Sequence, residues 1–437
     1  MGFAQGVSGL NASASNLDVI GNNIANSGTV GFKSGNVLFS DVYAGSRVGL
    51  GTQVAGVAQN FTSGAVQTSS RALDVAIVNG DGFFRLASPG GEIAYSRNGQ
   101  FDMDKNGYIV NAAGLQLTGY KVGANGAVAG GSPAALQLPT TAMAPKATTG
   151  IDAQFNLDSR STVPTAAPFD ANDSTTYNYA NAVTIYDSLG NSHELSTFFV
   201  KQAAPAVNTW DVYATADGWP LDANGAKVVA AVPATTPPTP GSGGAALADD
   251  TSLVFDANGN LSLSVAVPPI LSQDGKMSFA GLDFANGSAA MTFTLNLAGT
   301  TQFGNVNDVK KLTQDGYASG ALASLAIEQN GTITGKYTNE QSNTLGQIVL
   351  SSFVNPNGLQ PKGDNVWAET AVSGQPLTGS PGAGTKLGAL VSGAVEGSNV
   401  DLTAELVNLI IAQRTYQANA QTVKTQDQVM QTLVNMR

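Results

Sequence analysis

The prolines of this chain are confined to its middle. All 18 lie between Pro89 and Pro381, so residues 1–88 and 382–437 lack the residue that most strongly breaks helices. Because a long helix excludes proline from its interior, this distribution predicts helices at the two ends and strands and turns between them. With 437 residues the chain is long enough for about two or three domains.

An amphipathic pattern runs through the first 24 residues. Apolar or small side chains recur there in alternating steps of four and three, which places them on one seam of a helix. The members of this seam are Phe3, Val7, Leu10, Ala14, Leu17, Gly21 and Ile24. The seam is thin, and the surrounding glycines and asparagines lower helix propensity, so this helix is expected to be marginal in isolation.

The last 40 residues carry a longer pattern of the same kind. Ser398-Asn399-Val400-Asp401 is typical of an N-cap box and predicts that a helix begins there. The mostly apolar seam that follows comprises Leu402, Leu406, Leu409, Gln413, Tyr416, Ala420, Val423, Asp427, Met430 and Val434. Thin seams at opposite chain ends can be shielded only by each other or by another copy, which predicts that the two helices pair as a coiled coil. Packing of both helices on an ordinary globular core is the alternative.

The middle of the chain reads as β structure. Short apolar runs at 73–78, 108–110 and 346–350 are typical of strands, and Asn-Gly pairs between such runs are typical of hairpin turns. The predicted fold is therefore mainly β with α-helical termini, nested and multidomain, with two β domains in the middle.

The composition shifts along the chain set the expected domain boundaries. We expect a terminal helical domain, extended Gly-rich connectors that supply a hinge, a β domain, and an outer β domain inserted into it. Residues 232–244, dense in Pro and Gly, are expected to form a surface loop of the insert, with a hairpin turn at Asn224-Gly225. The terminal helical domain is expected at 1–33 with 398–437, and the connectors at 34–72 with 373–397. The β domain is expected at 73–149 with 301–372, and the inserted outer β domain at 150–300.

Composition argues against several classes of function. A Ser or Cys nucleophile normally needs an imidazole base, yet the chain has one histidine and no cysteine. That histidine, His193, lies in a strand-like run, and the half EF-hand at 102–107 lacks the required glutamate, because Ala113 stands in its place. We therefore predict no catalytic, metal or cofactor site and no enzyme.

Charge and hydropathy bound the partners. The net charge is −11, which argues against binding nucleic acid. No run of about 18 apolar residues is present, so no membrane insertion is expected. Residues 1–32 contain no Lys or Arg, so no cleavable signal peptide is predicted.

Two terminal motifs carry a family resemblance. Residues 17–26 with 29–33, and the run from 398 to 420 with 424–427, resemble the two ends of the rod and hook family of bacterial flagellar axial proteins. Residues 80–84, 96–101 and 363–367 are similar to the β-domain motifs of that family. The N-terminal motif residues are Asn22, Asn23, Ile24, Ala25, Asn26, Gly31, Phe32 and Lys33.

The resemblance implies a structural role in the flagellum. Members are exported through the flagellar type III apparatus without a cleaved signal and work outside the cell, here at the basal body hook. Implied partners are copies of the chain itself in a helical, flexible tube, flagellar rod and hook–filament junction proteins, the hook cap and the export apparatus; no cofactor is implied. The insert at 150–300 favours a hook subunit over the shorter distal rod proteins. A rod or hook-associated junction protein, or a secreted β-rich adhesin, are the alternatives.

The apolar seams indicate which residues are expected to form the contact between copies. Copies of the chain should cover each other's incomplete apolar seams, so the central seam positions should form the interface. These positions are Leu10, Leu17, Ile24, Leu402, Leu406, Leu409, Tyr416 and Val423.

Overall fold

A computed structural model describes most of the chain. It covers residues 2–42, 49, 51–123, 126–203, 208–221, 252–262, 275–382 and 386–435. The loop predicted at 232–244 and the turn predicted at Asn224-Gly225 lie outside these residues. The chain divides into two compact units, of which one is Met1–Thr141 with Leu322–Arg437 and the other is Ala142–Ala321.

A helix forms each end of the first unit. Helix α1 is Gly2–Ala25 and helix α2 is Leu402–Asn435. They pack against each other in antiparallel directions, since the start of α1 lies by Val423 and its end lies by Glu405. The predicted fold class, mainly β with paired terminal helices, is confirmed.

The cap of α2 differs from the prediction. Asp401, not Ser398, caps the helix, because its Oδ1 accepts hydrogen bonds from the N–H groups of Thr403 (2.9 Å) and Ala404 (3.1 Å). The Ser398 hydroxyl instead accepts from the N–H of Val400 at 3.3 Å, one turn too early to cap the helix.

The strands of the first unit come from both halves of the chain. Those before the insert are β1 (Gly35–Asp41), β2 (Thr52–Gln59), β3 (Val66–Thr68), β4 (Val75–Val78), β5 (Phe83–Ala87), β6 (Ile93–Ser96), β7 (Asp102–Met103), β8 (Ile109–Val110), β9 (Gln116–Lys121) and β10 (Ala134–Ala135). The predicted strands near 73–78 and 108–110 are thus confirmed, somewhat shortened.

The second unit contributes ten strands among its described residues. They are β11 (Gly150–Asp158), β12 (Tyr179–Tyr186), β13 (Ser192–Lys201), β14 (Thr209–Ala216), β15 (Trp219–Pro220), β16 (Ser252–Val254), β17 (Lys276–Leu282), β18 (Met291–Asn296), β19 (Thr301–Phe303) and β20 (Asp308–Gln314). Strand β11 pairs in parallel with β18 and β19 and antiparallel with β20, while β12 to β16 form a second sheet. Phe155, Phe199, Trp210, Phe279 and Phe293 are buried in one core that both sheets share.

The chain then returns to the first unit. Its remaining strands are β21 (Leu322–Ile327), β22 (Thr332–Tyr337), β23 (Ser342–Ile348), β24 (Leu350–Ser352), β25 (Gln360–Gly363), β26 (Val366–Ala368), β27 (Leu377–Gly379), β28 (Ala389–Ser392) and β29 (Ala394–Glu396). Strand β9 pairs with β23 and β5 with β24, so the large sheet contains strands from before and from after the second unit in the sequence.

The predicted connectors contain paired strands. Strands β1 and β2 form a hairpin beside α1, β3 pairs with β29, and β4 pairs with β28. The chain entering the β-rich part is therefore hydrogen-bonded to the chain leaving it.

Phe155→Ala should destabilise the second unit strongly. The Phe155 ring is buried and packs edge-on against Phe199 at 5.2 Å, so truncation leaves a cavity and should lower the free energy of unfolding by about 3–5 kcal/mol. Urea unfolding followed by tryptophan fluorescence measures it, because Trp210 and Trp219 lie in this unit. Val306→Ala, at an exposed position, should change stability by less than about 0.5 kcal/mol, and equal losses in both variants would contradict the assignment of the core.

Candidate assembly interface

The seam between the two helices is made of small and polar residues. A Cβ placed on Gly6 would lie 2.9 Å from Cγ2 of Val423, and one on Gly9 would lie 2.9 Å from Nδ2 of Asn419. Glycine at both positions therefore allows the helices to approach closely. The Asn419 amide also donates to Oγ of the buried Ser13 at 3.5 Å, so the middle of the seam is polar.

Asn23 joins the helices to the β1–β2 hairpin. Its Nδ2 donates to the carbonyl of Gly35 (2.9 Å) and to Oε1 of Glu405 (3.2 Å), and its Oδ1 accepts from the N–H of Gly35 (2.9 Å). The side chain is buried, and its amide is satisfied by partners in two other elements, Gly35 of β1 and Glu405 of α2. This network gives a physical reason for an asparagine at this position of the N-terminal motif.

The other motif residues shape the end of α1. Asn26 donates to the carbonyl of Asn22 (3.0 Å) and accepts from the hydroxyl of Thr29 (3.1 Å), which terminates the helix. Ile24 and Phe32 are half-buried, while Ala25 is exposed. Gly31 has φ +73°, and a Cβ there would lie 2.6 Å from the backbone N of Asn98, so only glycine fits.

A buried ion cluster fixes both connectors to the β-rich part. We define it as Lys33, Arg97 and Glu396, all of them buried. Lys33 Nζ lies 2.6 Å from one carboxylate oxygen of Glu396, and Arg97 lies 3.3 Å from the other. Lys33 also donates to the carbonyl of Thr62 (2.7 Å), and the N–H of Gly64 donates to Glu396 (2.9 Å).

The cluster has two cations for one carboxylate. Burial lowers the pKa of the Lys33 ammonium below its ordinary value, and the charge of Glu396 opposes that shift. Burial likewise lowers the pKa of the Arg97 guanidinium, again opposed by Glu396. Glu396 is thus the group on which both buried cations depend.

The structure places the predicted interface residues in two classes. Those that remain exposed on the isolated chain are Leu402, Leu406 and Tyr416, and those half-buried are Leu10, Leu17, Ile24, Leu409 and Val423. The buried positions of the helix pair were not among the predicted interface residues: Gly6, Ala12, Ser13, Ile20, Asn23 and Ala412. The predicted seam was built on large apolar side chains, whereas most buried positions of the observed helix pair carry small or polar side chains, with Ile20 as a large apolar exception.

One face of α2 carries an exposed apolar surface, which we call the α2 stripe. Its members, each between 45% and 57% exposed, are Leu402, Leu406, Val407, Ile410 and Ile411. Sequence analysis did not assign Val407 and Ile411 to an interface. The run of apolar residues at 409–411 could have indicated this surface. Consecutive apolar residues lie on several sides of a helix, and a helix that is apolar on all sides is usually buried.

The β1–β2 hairpin adds further exposed apolar side chains. They are Leu38, Phe39, Val54 and Val57. The hairpin packs beside α1, where the N–H of Thr52 donates to the hydroxyl of Ser8 at 3.3 Å. Exposed large apolar side chains that are grouped in one element are candidates for protein association.

The single histidine of the chain lies between two carboxylates. His193 lies on β13, 2.7 Å from Asp217 and 3.4 Å from Asp187, and its ring stacks on Phe284. Within the described residues no group of three or more His, Cys, Asp or Glu side chains could hold a metal ion. Nor, in that same part of the chain, is any helix both long and apolar enough to span a bilayer.

The chain matches four sequence families along its length. Residues 5–33 match the family described as flagella basal body rod protein, and residues 77–167 match the flagellar hook protein FlgE/F/G D1 domain. Residues 156–317 match the flagellar basal body protein FlaE D2 domain, and residues 391–436 match the C-terminal region of the flagellar basal body rod FlgEFG protein.

Full-length relatives agree with these matches. The flagellar hook protein FlgE of Salmonella typhimurium is 46% identical over 440 residues, which covers 100% of both chains. That of Borreliella burgdorferi is 32% identical over 468 residues, covering 99% of this chain and 98% of the relative. The crystal structure of Helicobacter pylori flagellar hook protein FlgE2 aligns with a TM-score of 0.48 at 15% identity, over 76% of this chain and 100% of that one.

Glu396→Gln should destabilise the first unit. It removes the negative charge from a cluster with two buried cations, so the free energy of unfolding should fall by about 3–5 kcal/mol, as measured by urea unfolding. Glu92→Gln breaks an exposed pair with Lys362 in the same unit and should cost at most about 1 kcal/mol. The role given to the cluster is wrong if the two variants lose the same stability.

Proposed function

The chain belongs to the flagellar hook protein family, and on that premise we propose that its copies polymerise head to tail into a bendable tube. It is a structural subunit of the flagellar hook, located at the flagellar basal body. In our proposal the terminal helices form the inner wall of the tube and the strand-rich units point outward. The role is mechanical, so the proposal includes neither enzymatic activity nor a cofactor.

The α2 stripe is the observation that carries this proposal. Five large apolar side chains lie exposed on consecutive turns of one helix, and the opposite side of that helix is covered by α1. Because about half of each side chain is already buried, covering the rest would contribute about 0.7–1.5 kcal/mol per residue, and a surface that covers all five gains a large favourable term. A neighbouring copy provides such a surface at every position of a polymer.

The polar seam within one chain supports the same conclusion. Polar residues at a helix–helix seam fix register but add little affinity. Because Ser13, Asn23, Glu405 and Asn419 occupy the intramolecular seam, pairing α1 with α2 leaves the apolar α2 stripe free for other contacts. The helices are therefore aligned within each chain before they meet another copy.

The contact between copies is heterologous in this proposal. One copy presents the α2 stripe, and its neighbour covers it with a different patch that includes the exposed side of the β1–β2 hairpin. Contacts that join different patches on successive copies build open helical polymers when the rotation does not close. The predicted interface residues Leu402, Leu406 and Tyr416 belong to this contact, and Leu10, Leu17, Ile24, Leu409 and Val423 line its margins.

Strand pairing limits which residues of the predicted connectors can act as the hinge. Strands β3 and β29 pair, β4 and β28 pair, and the buried ion cluster joins them to the β-rich part. We therefore exclude residues 66–72 and 389–396 of the connectors from the hinge and assign the bending to other parts of the connectors and to sliding between copies. Contacts with rod proteins, hook–filament junction proteins, the cap and the export apparatus complete the proposal.

Leu406→Asp with Ile410→Asp should prevent polymerisation without unfolding the chain. Both side chains are exposed, so the monomer should keep its stability, while the interface loses about 3 kcal/mol or more and the critical concentration rises about a hundredfold. Electron microscopy and sedimentation of concentrated full-length protein measure the effect.

Gln421→Asp with Gln428→Asp is the matched control, because it places the same charges on exposed polar positions of α2 that lie beyond the α2 stripe. This variant should form long tubes as the unmodified chain does. Tubes formed by the Leu406/Ile410 variant at the ordinary concentration would refute the proposed interface, and short segments or caps from the unmodified chain would favour a junction protein.

A further inference from the structure

A groove lies between the two helices and the β1–β2 hairpin. Its volume is about 460 Å³, and Asn16, Gly35, Glu405, Asn408 and Thr415 are among the residues that line it. Amide, hydroxyl and carboxylate groups line this space together with apolar side chains such as Ile20, Phe39 and Ile411, and the space is large enough for a long side chain. All three walls belong to the first unit.

Glu405 lines this groove without a cation. Its Oε1 accepts a hydrogen bond from Asn23 at 3.2 Å, and no Lys, Arg or His in the described part of the chain lies within ion-pair distance. The side chain is half-buried, and a partly desolvated carboxylate is stabilised by an opposite charge. The groove is thus chemically suited to a cationic group from outside the chain.

The helices offer only two cations. The charged side chains of α1 and α2 and their caps are Asp18, Asp401, Glu405, Arg414, Lys424 and Asp427. Among the residues with described positions, none of these six forms an ion pair. Arg414 is exposed, and it lies about one turn beyond Ile410 and Ile411, next to the α2 stripe.

Arg414 cannot reach the groove of its own chain. Nine residues separate it from Glu405, which is about two and a half turns and about 13 Å along the helix, so the two side chains lie on roughly opposite sides of α2. Each copy therefore carries a carboxylate on one side of the helix and an unpaired guanidinium on the other. This arrangement lets one copy pair with the next, and that copy with a third, without closing a dimer.

We propose that the groove binds the Arg414 side chain of a second copy, whose guanidinium pairs with Glu405. A guanidinium presents a planar fork of donors that matches a carboxylate and the neighbouring amide and hydroxyl oxygens of Asn16, Asn408 and Thr415. The surrounding α2 stripe of the incoming copy is buried in the same contact. The axial offset of about 13 Å makes successive copies rise, as a helical wall requires. This pairing rests on the proposed function and specifies which side chains select the partner.

Arg414 is preferred over Lys424 because of its surroundings. Lys424 lies ten residues further along α2, beyond the α2 stripe, among exposed polar side chains that include Gln421 and Gln428. A lysine there has no apolar surface around it that would be buried on binding. Lys424 therefore provides a charge-matched control on the same helix.

Charge exchange between the two positions tests the pairing. Sedimentation of the full-length chain gives the critical concentration for Glu405→Arg, for Arg414→Glu, for the double variant and for Lys424→Glu. Each single exchange should raise the critical concentration about tenfold or more, because like charges then meet across a partly desolvated contact. The critical concentration of the double variant should return to within about threefold of that of the unmodified chain. The critical concentration of Lys424→Glu should also be close to that of the unmodified chain.

Mixing the two single variants separates contact between copies from a folding defect. One variant then carries arginine at both positions and the other carries glutamate at both, so an equimolar mixture should assemble at concentrations where neither does alone. A chain that misfolds would not be rescued by mixing.

The outcomes distinguish this pairing from the proposed function. If the unmodified chain polymerises and the single exchanges polymerise equally well, the pairing is wrong and the polymer stands. If the double variant and the mixture both fail while Lys424→Glu assembles, the pairing is also wrong. An unmodified chain that stays monomeric at every concentration would overturn the proposed function and the pairing together.

Discussion

The contact between α1 and α2 constrains the rest of this structure. Gly6 and Gly9 bring the helices close together, and Ser13 and Asn419 make the middle of their seam polar. A seam of this kind determines which residues face each other without burying much apolar surface. The consequence is a helix pair whose largest apolar side chains still face water on the isolated chain. The incomplete burial of α2 therefore follows from the way the two ends recognise each other.

A second set of contacts joins that helix pair to the strands. Asn23 connects α1, α2 and the β1–β2 hairpin through three hydrogen bonds, and the buried ion cluster of Lys33, Arg97 and Glu396 fixes the neighbouring connectors. Both sets involve residues that are far apart in sequence, since Lys33 and Glu396 lie 363 positions apart. A chain that reaches its site of assembly unfolded would acquire these contacts only once both ends are present. These contacts therefore join the first and last segments of one chain to each other.

The sequence predicted the architecture because periodicity and proline placement depend on local physics. Helices at both ends and a strand at 73–78 follow from patterns within a few residues, and the structure confirms them. The run predicted as one strand at 346–350 is divided at Val349 between β23 and β24. The face by which α1 meets α2 was not predictable in this way, because a seam through Gly6, Gly9 and Asn419 has no apolar signal. The buried ion cluster was also missed, since its three members come from distant segments and each alone resembles an ordinary surface charge. Asp401 displaced Ser398 as the cap of α2 because only its carboxylate reaches the N–H groups of Thr403 and Ala404.

The proposed assembly requires the α2 stripe to be open to water on an isolated chain and covered in the polymer. The chain contains no cysteine, so a single Ile410→Cys substitution introduces one thiol whose reaction with a maleimide reports exposure at that position alone. Val354→Cys, at a highly exposed site of the β-rich part, provides the reference rate. In dilute monomer, the Ile410→Cys and Val354→Cys variants should be labelled at similar rates. After assembly, labelling at position 410 should be strongly slowed relative to labelling at position 354. Protection at 410 in the dilute monomer, or unchanged labelling there in assembled tubes, would contradict the proposed assembly.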